Sequence, residues 1–438
     1  MAYSIATSPR ISTLLEALTE ARARTLRLVA PVTDHDLVLQ HDELMSPIIW
    51  DLGHIAHFEE LWLTRNLDGE IRFVEMPGMY NPFEYPRRTR SQLEYPDRQG
   101  CVAMMADIRE RALASVAALD LGTGNPLTRD GLVVYLVLQH EYQHGETILQ
   151  TLQLKQGERY RAPRGWEVPE PVTTIPAGAM VRFDGGEVTI GTDDVAQSYD
   201  NERPRHRLTV PAFRIDTAPV RNADYLEFMN DRGYTRRELW SDAGWAWQSE
   251  AHVDAPRHWQ RTADGWTERY MDRTRPIDPR RPVCHVCFHE AEAFARWAGK
   301  RLPTEIEWEV AASWDGTIGR AMQFPWGDEP ATPEHANIEQ LAFDTAPVGA
   351  YPRNVSPLGC HGMIGDVWEW TSSDFAGHPG FRAFPYHEYS EAFFGSEYKV
   401  LRGGSWATRP GAIRNTFRNW DYPIRRQIFS GFRCAADV

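Results

Sequence analysis

Two histidines four residues apart, His140 and His144, are the first side chains in the chain whose spacing suggests chemistry. On a helix they share one face about a turn apart, where two imidazoles can bind one metal ion. The string His140-Glu141-Tyr142-Gln143-His144 also fits H-E-x-x-H, the zinc-protease signature, with Glu141 aimed at metal-bound water. That reading needs a third ligand, and none follows soon after His144. Upstream, His54 lies four residues after Trp50 and four before Phe58, on an apolar stripe. His57, on the adjoining face, reads as a satisfied or partly exposed histidine. Bundles build metal sites from side chains on facing helices, so His54, His140 and His144 form a candidate three-histidine site. Three neutral imidazoles leave coordination positions open, which suits Zn²⁺ hydrolysis or Fe²⁺ oxygen chemistry; ligand type alone does not choose between them.

Helices must position these residues, and the first 155 residues read as helical. Ser8-Pro9 pairs an N-cap with a proline at the first helical position and opens a stripe of Ile11, Leu14, Leu15 and Leu18. Ser46-Pro47 repeats the signal before IIWDLGHIAHFEELWL. Two more helices are predicted over about 101–119 and 129–153. Four periodic segments imply an up-and-down bundle over residues 1–157. The long Pro-, Arg- and Tyr-rich connection at 68–98 is of a length that is often functional. A Pro- and Gly-rich stretch ends the bundle, giving a linker over 158–178 and a second domain over 179–438. There the punctuation changes to short alternating strands such as RLTVPAFRI, with the clearest helices starting near Asn222 and His289.

The chain has 438 residues, 42% hydrophobic and 25% charged, so it can bury two or three cores. Its 47 basic against 61 acidic residues give a net charge of −14, which excludes a general phosphate-backbone binder and leaves room for a local basic pocket. Five cysteines are too few for a disulfide scaffold. MAYSIATSPR lacks an apolar signal core, and no apolar run approaches the roughly 20 residues of a membrane span. The expectation is a cytoplasmic protein with small-molecule substrates, and neither nucleic acid nor membrane as partner. Most of the 16 tryptophans lie beyond residue 230, where they can fill a core that short strands cannot fill alone. Cys284 and Cys287 bracket a C-x-x-C with no second pair after it, so they read as small buried residues rather than a zinc site.

The second half carries Asn201-Glu202-Arg203-Pro204, then RPVCHVCFHEAEAFARWAGKRLPTEIEWE, FPWGD at 324–328, GMIGDVWEWT at 362–371, LRGGSW at 401–406 and GFRCA at 431–435. In that order these motifs resemble the formylglycine-generating-enzyme (sulfatase-modifying factor) superfamily over about 180–438. The resemblance implies a C-type-lectin-like fold with little regular secondary structure. The segment where that superfamily carries its catalytic cysteines reads NTFRNWDYPIRRQ here and has none, so formylglycine generation is not expected. A bundle with the pattern DLGHI…HEYQH fused to this domain is similar to the DinB-like plus sulfatase-modifying-factor pairing of the ergothioneine-pathway sulfoxide synthases, the hercynine oxygenases. The whole is then an α+β chain: a DinB-like four-helix bundle followed by the lectin-like domain.

That resemblance implies an enzyme using Fe²⁺ and O₂ to join a cysteine-derived thiol to C2 of the hercynine imidazole as a sulfoxide. The family's iron ligands fall on His54, His140 and His144. Its arginines for the donor's carboxylates fall on Arg87 and Arg90, with Arg88 between them as a third charge. The active-site tyrosine falls on Tyr386, with Tyr389 as its rival. Asp421 matches the residue for the donor's ammonium, Asn419 and Trp420 the betaine pocket, and Gln143 the hercynine contact. The site is expected between the domains. Two arginines suit γ-glutamylcysteine better than cysteine. The alternatives are a selenoneine synthase on the same scaffold, an H-E-x-x-H zinc hydrolase, and a lectin-like binding module without catalysis. Whether the lectin-like half keeps a structural Ca²⁺ stays open.

Overall fold

The computed structural model describes residues 9–67, 78–122 and 124–438. The chain divides into two compact units. The first holds the residues up to Arg161 together with Asp194–Tyr199 and Phe384–Tyr386; the second holds the remainder. The expected cap at Ser8 lies outside the described residues, as does the 68–77 part of the long connection.

In the first unit, α1 spans Pro9–Val29, α2 Asp34–Val38, α3 Ile48–Glu60, α4 Arg98–Ala117 and α5 Leu132–Leu154. Of the period-3.6 stripe predicted for α1, Ile11, Leu14 and Leu18 are in the core and Leu15 is half-buried. Asp97 caps α4 by accepting from the Gly100 N–H at 2.7 Å. The short α2, unforeseen from periodicity, starts at Thr33, whose hydroxyl accepts from the Asp36 N–H. At α3 the cap expectation fails. Pro47 holds the N-cap position with no side-chain bond, because the Ser46 hydroxyl instead accepts from Arg90 Nη1 at 2.6 Å. Beyond Glu60 the helix widens into a π-turn, Leu61–Arg65.

Charge, not only apolar packing, fixes the bundle's register. Arg22 on α1 pairs with Glu59 on α3 (2.7 Å) and Glu141 on α5 (2.9 Å). Arg109 on α4 pairs with the same two carboxylates at 2.5 and 2.8 Å. All four side chains are buried, so they form a closed ring of alternating charge that joins all four long helices.

The second unit opens with β1 (Met180–Phe183), β2 (Gly186–Ile190), β3 (His206–Val210) and β4 (Phe213–Asp216). Next come α6 (Asn222–Asn230), α7 (Asp242–Ala251), β5 (Trp259–Thr262), β6 (Gly265–Tyr270) and β7 (Arg273–Pro276). Helices α8 (Phe288–Trp297) and α9 (Glu305–Ser313) precede the two-residue strands β8 (Trp314–Asp315) and β9 (Arg320–Ala321). The rest is β10 (Trp368–Phe375), β11 (Gly395–Arg402), β12 (Asn419–Asp421), β13 (Ser430–Gly431) and β14 (Ala435–Asp437). Among the described residues no helix or strand falls between Ala321 and Trp368, which is the sparse regular structure the motifs implied. RLTVPAFRI is not one strand: Pro211 cannot extend a ladder, so β3 pairs with β2 while β4 lies between β1 and β14. The largest sheet runs β12-β11-β10-β13, with β13 parallel to β10.

The sequence motifs supply this unit's interior. Arg402 of LRGGSW pairs with Glu309 of IEWE at 2.6 Å, and Arg418 with Glu305 at 2.8 Å. Arg433 of GFRCA pairs with Glu369 of VWEWT at 2.6 Å. Trp308 donates from its indole to that Glu369 at 2.8 Å, and Trp370 to the Val286 carbonyl at 2.9 Å. Cys284 and Cys287 are buried and form no disulfide, and burial pushes both thiols well up from their ordinary range.

Candidate metal centre

Helices α3 and α5 pack together and bring His54, His140 and His144 to one point. One ring nitrogen from each lies within 4.8 Å of the others, and the ring centroids are 4.5–4.9 Å apart. His54 and His140 are buried, at 5% and 8% exposure, and His144 is half-buried. Nε2 of His54 and Nε2 of His140 face each other at 3.1 Å. Two ligands of one metal with bonds of about 2.1 Å stand about 3.0–3.4 Å apart at octahedral or tetrahedral angles, so this pair already has the spacing of neighbouring ligands. Burial, then the proximity of His144, holds both imidazoles well below their usual pKa. They are therefore neutral donors at pH 7.

The outer contacts decide which nitrogens point inward. His54 Nδ1–H donates to the Tyr80 carbonyl at 2.8 Å. His144 Nδ1–H donates to Asp51 Oδ1 at 3.0 Å, and Asp51 is itself buried. Each bond commits the Nδ1 proton outward and leaves the Nε2 lone pair for a metal, the usual arrangement around metal-binding histidines. The donor set thus fits a single divalent ion held by three Nε2 atoms, with the remaining coordination positions free for small molecules. Among the described residues, no other group of three His, Cys, Asp or Glu side chains converges this way.

Glu141 does not take part. It sits in the charge ring, accepting from Arg22, Arg109 and the Thr25 hydroxyl. Although burial favours its protonated form, Arg22 and Arg109 outweigh that and hold the carboxyl below its ordinary range. A carboxylate neutralised by two buried guanidinium groups is a poor base for metal-bound water. The H-E-x-x-H string therefore lacks the working part of a zinc hydrolase. His57 also stays outside the trio; its ring packs on Tyr80 at 4.8 Å.

A model of the DinB superfamily matches residues 17–148, and one of the sulfatase-modifying factor enzyme 1-like domain matches residues 166–438. Over 439 aligned residues the chain is 44% identical to the hercynine oxygenase of Mycolicibacterium thermoresistibile, covering 98% of this chain and 96% of that one. The chain belongs to the hercynine oxygenase family. The hercynine oxygenase of Mycobacterium tuberculosis is likewise 44% identical, with 96% and 98% of the two chains covered. The formylglycine-generating enzyme of Mus musculus is 33% identical over 59% of this chain and 75% of its own length. The chain is thus an enzyme, an oxidoreductase with a DinB-like and a sulfatase-modifying-factor domain.

The other residues singled out from sequence fall as follows. Arg90 is buried, with its guanidinium 3.4 Å over the Trp50 ring, and that indole stacks on His54 at 4.7 Å and 12°. Burial, and next the neighbouring Arg87, lower its pKa to about 10. Arg87 is half-buried and donates to the Leu44 carbonyl, while Arg88 is exposed. Gln143 accepts from the Tyr199 hydroxyl at 2.7 Å. Tyr386 belongs to the first unit. Its ring stacks on Trp62 at 5.1 Å and tilts against Phe58 at 6.3 Å, and Phe58 in turn stacks on His140 at 3.7 Å. Tyr389 instead meets Trp420 edge-on in the second unit. There β12 presents Asn419, Trp420 and Asp421; Trp420 stacks on Phe375 at 4.1 Å and Asp421 pairs with Arg425 at 3.3 Å.

Sequence reading missed Asp51 and Tyr80. Asp51 carried a faint mark, a carboxylate three residues before His54 on the same helix. Tyr80 acts through its carbonyl, which leaves no mark in side-chain type.

Proposed function

We propose that this chain uses Fe²⁺ and O₂ to join γ-glutamylcysteine, through its sulfur, to C2 of the hercynine imidazole, producing a sulfoxide in ergothioneine biosynthesis. The observation that carries this reading is the convergence of three imidazole Nε2 donors in a chain similar end to end to hercynine oxygenases. His54, His140 and His144 hold the metal. When bound, Fe²⁺ supplies open coordination positions and the one-electron chemistry that O₂ requires.

The chain's own residues do the remainder. Arg87 and Arg90 bind the donor's carboxylates, a task suited to planar guanidinium forks; the inward burial of these two, against exposed Arg88, supports the pair. Asp421 binds the donor's ammonium, and Asn419 and Trp420 line the pocket for hercynine's trimethylammonium, which an aromatic wall attracts. Gln143 contacts hercynine, oriented by the Tyr199 hydroxyl. Holding the donor sulfur near C2 removes much of the entropic barrier. Tyr386 delivers a proton or hydrogen atom that directs the reaction to the sulfoxide. Its packing beside Phe58, the residue stacked on His140, supports it over Tyr389. Among the described residues no helix is long and apolar enough to cross a membrane; we place the enzyme in the cytoplasm.

The test is metal analysis of anaerobically purified protein, followed by incubation of the Fe²⁺-loaded chain with hercynine, O₂ and competing donors. γ-Glutamylcysteine, cysteine and a selenosugar compete, and mass spectrometry identifies the adduct. Stoichiometric zinc with peptidase activity would overturn the oxygenase reading, and preferential selenium incorporation would overturn the donor. In Tyr386→Phe the product shifts from sulfoxide toward donor sulfinate. An unchanged rate and product ratio there removes Tyr386 from the chemistry.

A further inference from the structure

Helix α3 and the short turn Gly78–Tyr80 meet through two adjacent carbonyls. Trp50 Nε1–H donates to the Met79 carbonyl at 2.7 Å, and His54 Nδ1–H donates to the Tyr80 carbonyl at 2.8 Å. The two donors are four residues apart, about one helical turn, so both reach the same stretch of backbone. Gly53 lies between them on the chain. A Cβ there would stand 2.1 Å from Tyr80 Cε1 and 2.3 Å from Cζ, so the tyrosine ring occupies the volume that any other residue would need. The ring makes no polar use of that place: the Tyr80 hydroxyl is buried without a hydrogen-bond partner. The Trp50 indole also lies parallel to the His54 imidazole at 4.7 Å.

We infer that Trp50, Gly53 and Tyr80 are positioning residues for the metal ligand His54: together they clasp the 78–80 turn to α3 and so set which nitrogen of His54 faces the metal. The inference rests on the three-histidine reading above. The Tyr80 ring against Gly53 fixes how closely the turn approaches, and the Trp50 bond fixes its register. The Tyr80 carbonyl, placed by both, holds the Nδ1 proton of His54. Its Nε2 lone pair is then left 3.1 Å from His140 Nε2. Loss of such an outer partner typically costs about 10–100-fold in metal affinity.

The experiment titrates substrate-free, full-length protein with Fe²⁺ under anaerobic conditions against a chromophoric chelator, alongside melting of the metal-free protein. Gly53→Ala binds Fe²⁺ about 10–100-fold more weakly. Trp50→Phe keeps a ring for the stack but deletes the bond to Met79, and shows a smaller loss in the same direction. Tyr80→Phe keeps the wild-type affinity and Tyr80→Ala does not. A purely structural role would lower the melting temperature of these variants while leaving Fe²⁺ affinity per folded molecule unmoved, and that outcome overturns the proposal. So does a Tyr80→Phe loss as large as that of Tyr80→Ala. If Gly53→Ala fails to fold, the Trp50→Phe and Tyr80 comparisons decide alone. Should wild-type protein bind no metal, or His54→Ala bind it as tightly as wild type, the three-histidine reading itself fails. Tight wild-type binding with unmoved variants sinks only the clasp.

Discussion

Glu141→Gln separates the oxygenase reading from the zinc-hydrolase reading in one substitution, because the two assign that carboxylate different work. In the charge ring Glu141 accepts from Arg22 Nε at 2.9 Å, Arg109 Nη2 at 2.8 Å and the Thr25 hydroxyl at 2.9 Å. Two arginines and two glutamates make the ring neutral. A glutamine leaves a net positive charge buried and turns an amide N–H₂ toward at least one guanidinium. Removing one partner of a buried ion pair costs about 3–5 kcal/mol. For a domain of this size each kcal/mol moves the melting temperature by about 2–4 °C, so the bundle's transition falls by about 6–20 °C. The check is thermal unfolding followed by far-ultraviolet circular dichroism, with Fe²⁺ content and turnover measured well below the transition. There both stay near wild type, because Glu141 faces the arginines rather than the metal. Arg109→Met combined with Glu141→Leu loses less stability than the two single changes summed, since neither charge is then stranded. The reasoning is refuted if Glu141→Gln melts like wild type while its turnover is abolished. That pattern is the mark of a catalytic base.

Asp51→Ala removes the acceptor for His144 Nδ1–H and lowers Fe²⁺ affinity about 10–100-fold, read in the same chelator competition. Arg90→Lys removes the plane that lies over Trp50 and one donor fork, raising the donor's KM about tenfold or more; steady-state kinetics with hercynine varied separately show no matching change in its own KM. In the second unit, burial raises the Asp366 carboxyl to about 6, outweighing the Asn337 and Ala346 donations that favour its ionised form. Unfolded, it titrates near about 4. Its contribution to stability is therefore full below that value and is lost as pH rises through about 6. Denaturation of Asp366→Asn at pH 4, 5 and 6 shows that part of the slope removed; an unchanged slope refutes the assignment.

What was legible from sequence had a period or an ordered set of rare residues behind it. His140 and His144 are one turn apart on an apolar helix, and His54 sits between Trp50 and Phe58 at the same spacing, so helix geometry alone brings three imidazoles inward. The late motifs were legible as an ordered set, and several of them place one member of a buried pair, such as Glu369 with Arg433 or Glu309 with Arg402. What stayed hidden depends on partners that leave no local pattern. Ser46 looks like a cap but is taken by Arg90, a tertiary contact that outcompetes the local one. The charge ring joins residues 32 to 119 positions apart through ordinary arginines and glutamates.

The string His140-Glu141-Tyr142-Gln143-His144 shows where such reading stops. Its two histidines keep the meaning their spacing implies, because both donors lie on one helical face and need only the facing α3 to complete the set. Its glutamate does not, because a residue one step along the helix points about 100° away, toward whatever the neighbouring helices offer. Here α1 and α4 offer Arg22 and Arg109. A hydrolase would require that sector to be open to a metal-bound water. The same five residues thus encode a metal site in either protein. The two arginines, far away in sequence, make the intervening carboxylate a structural charge.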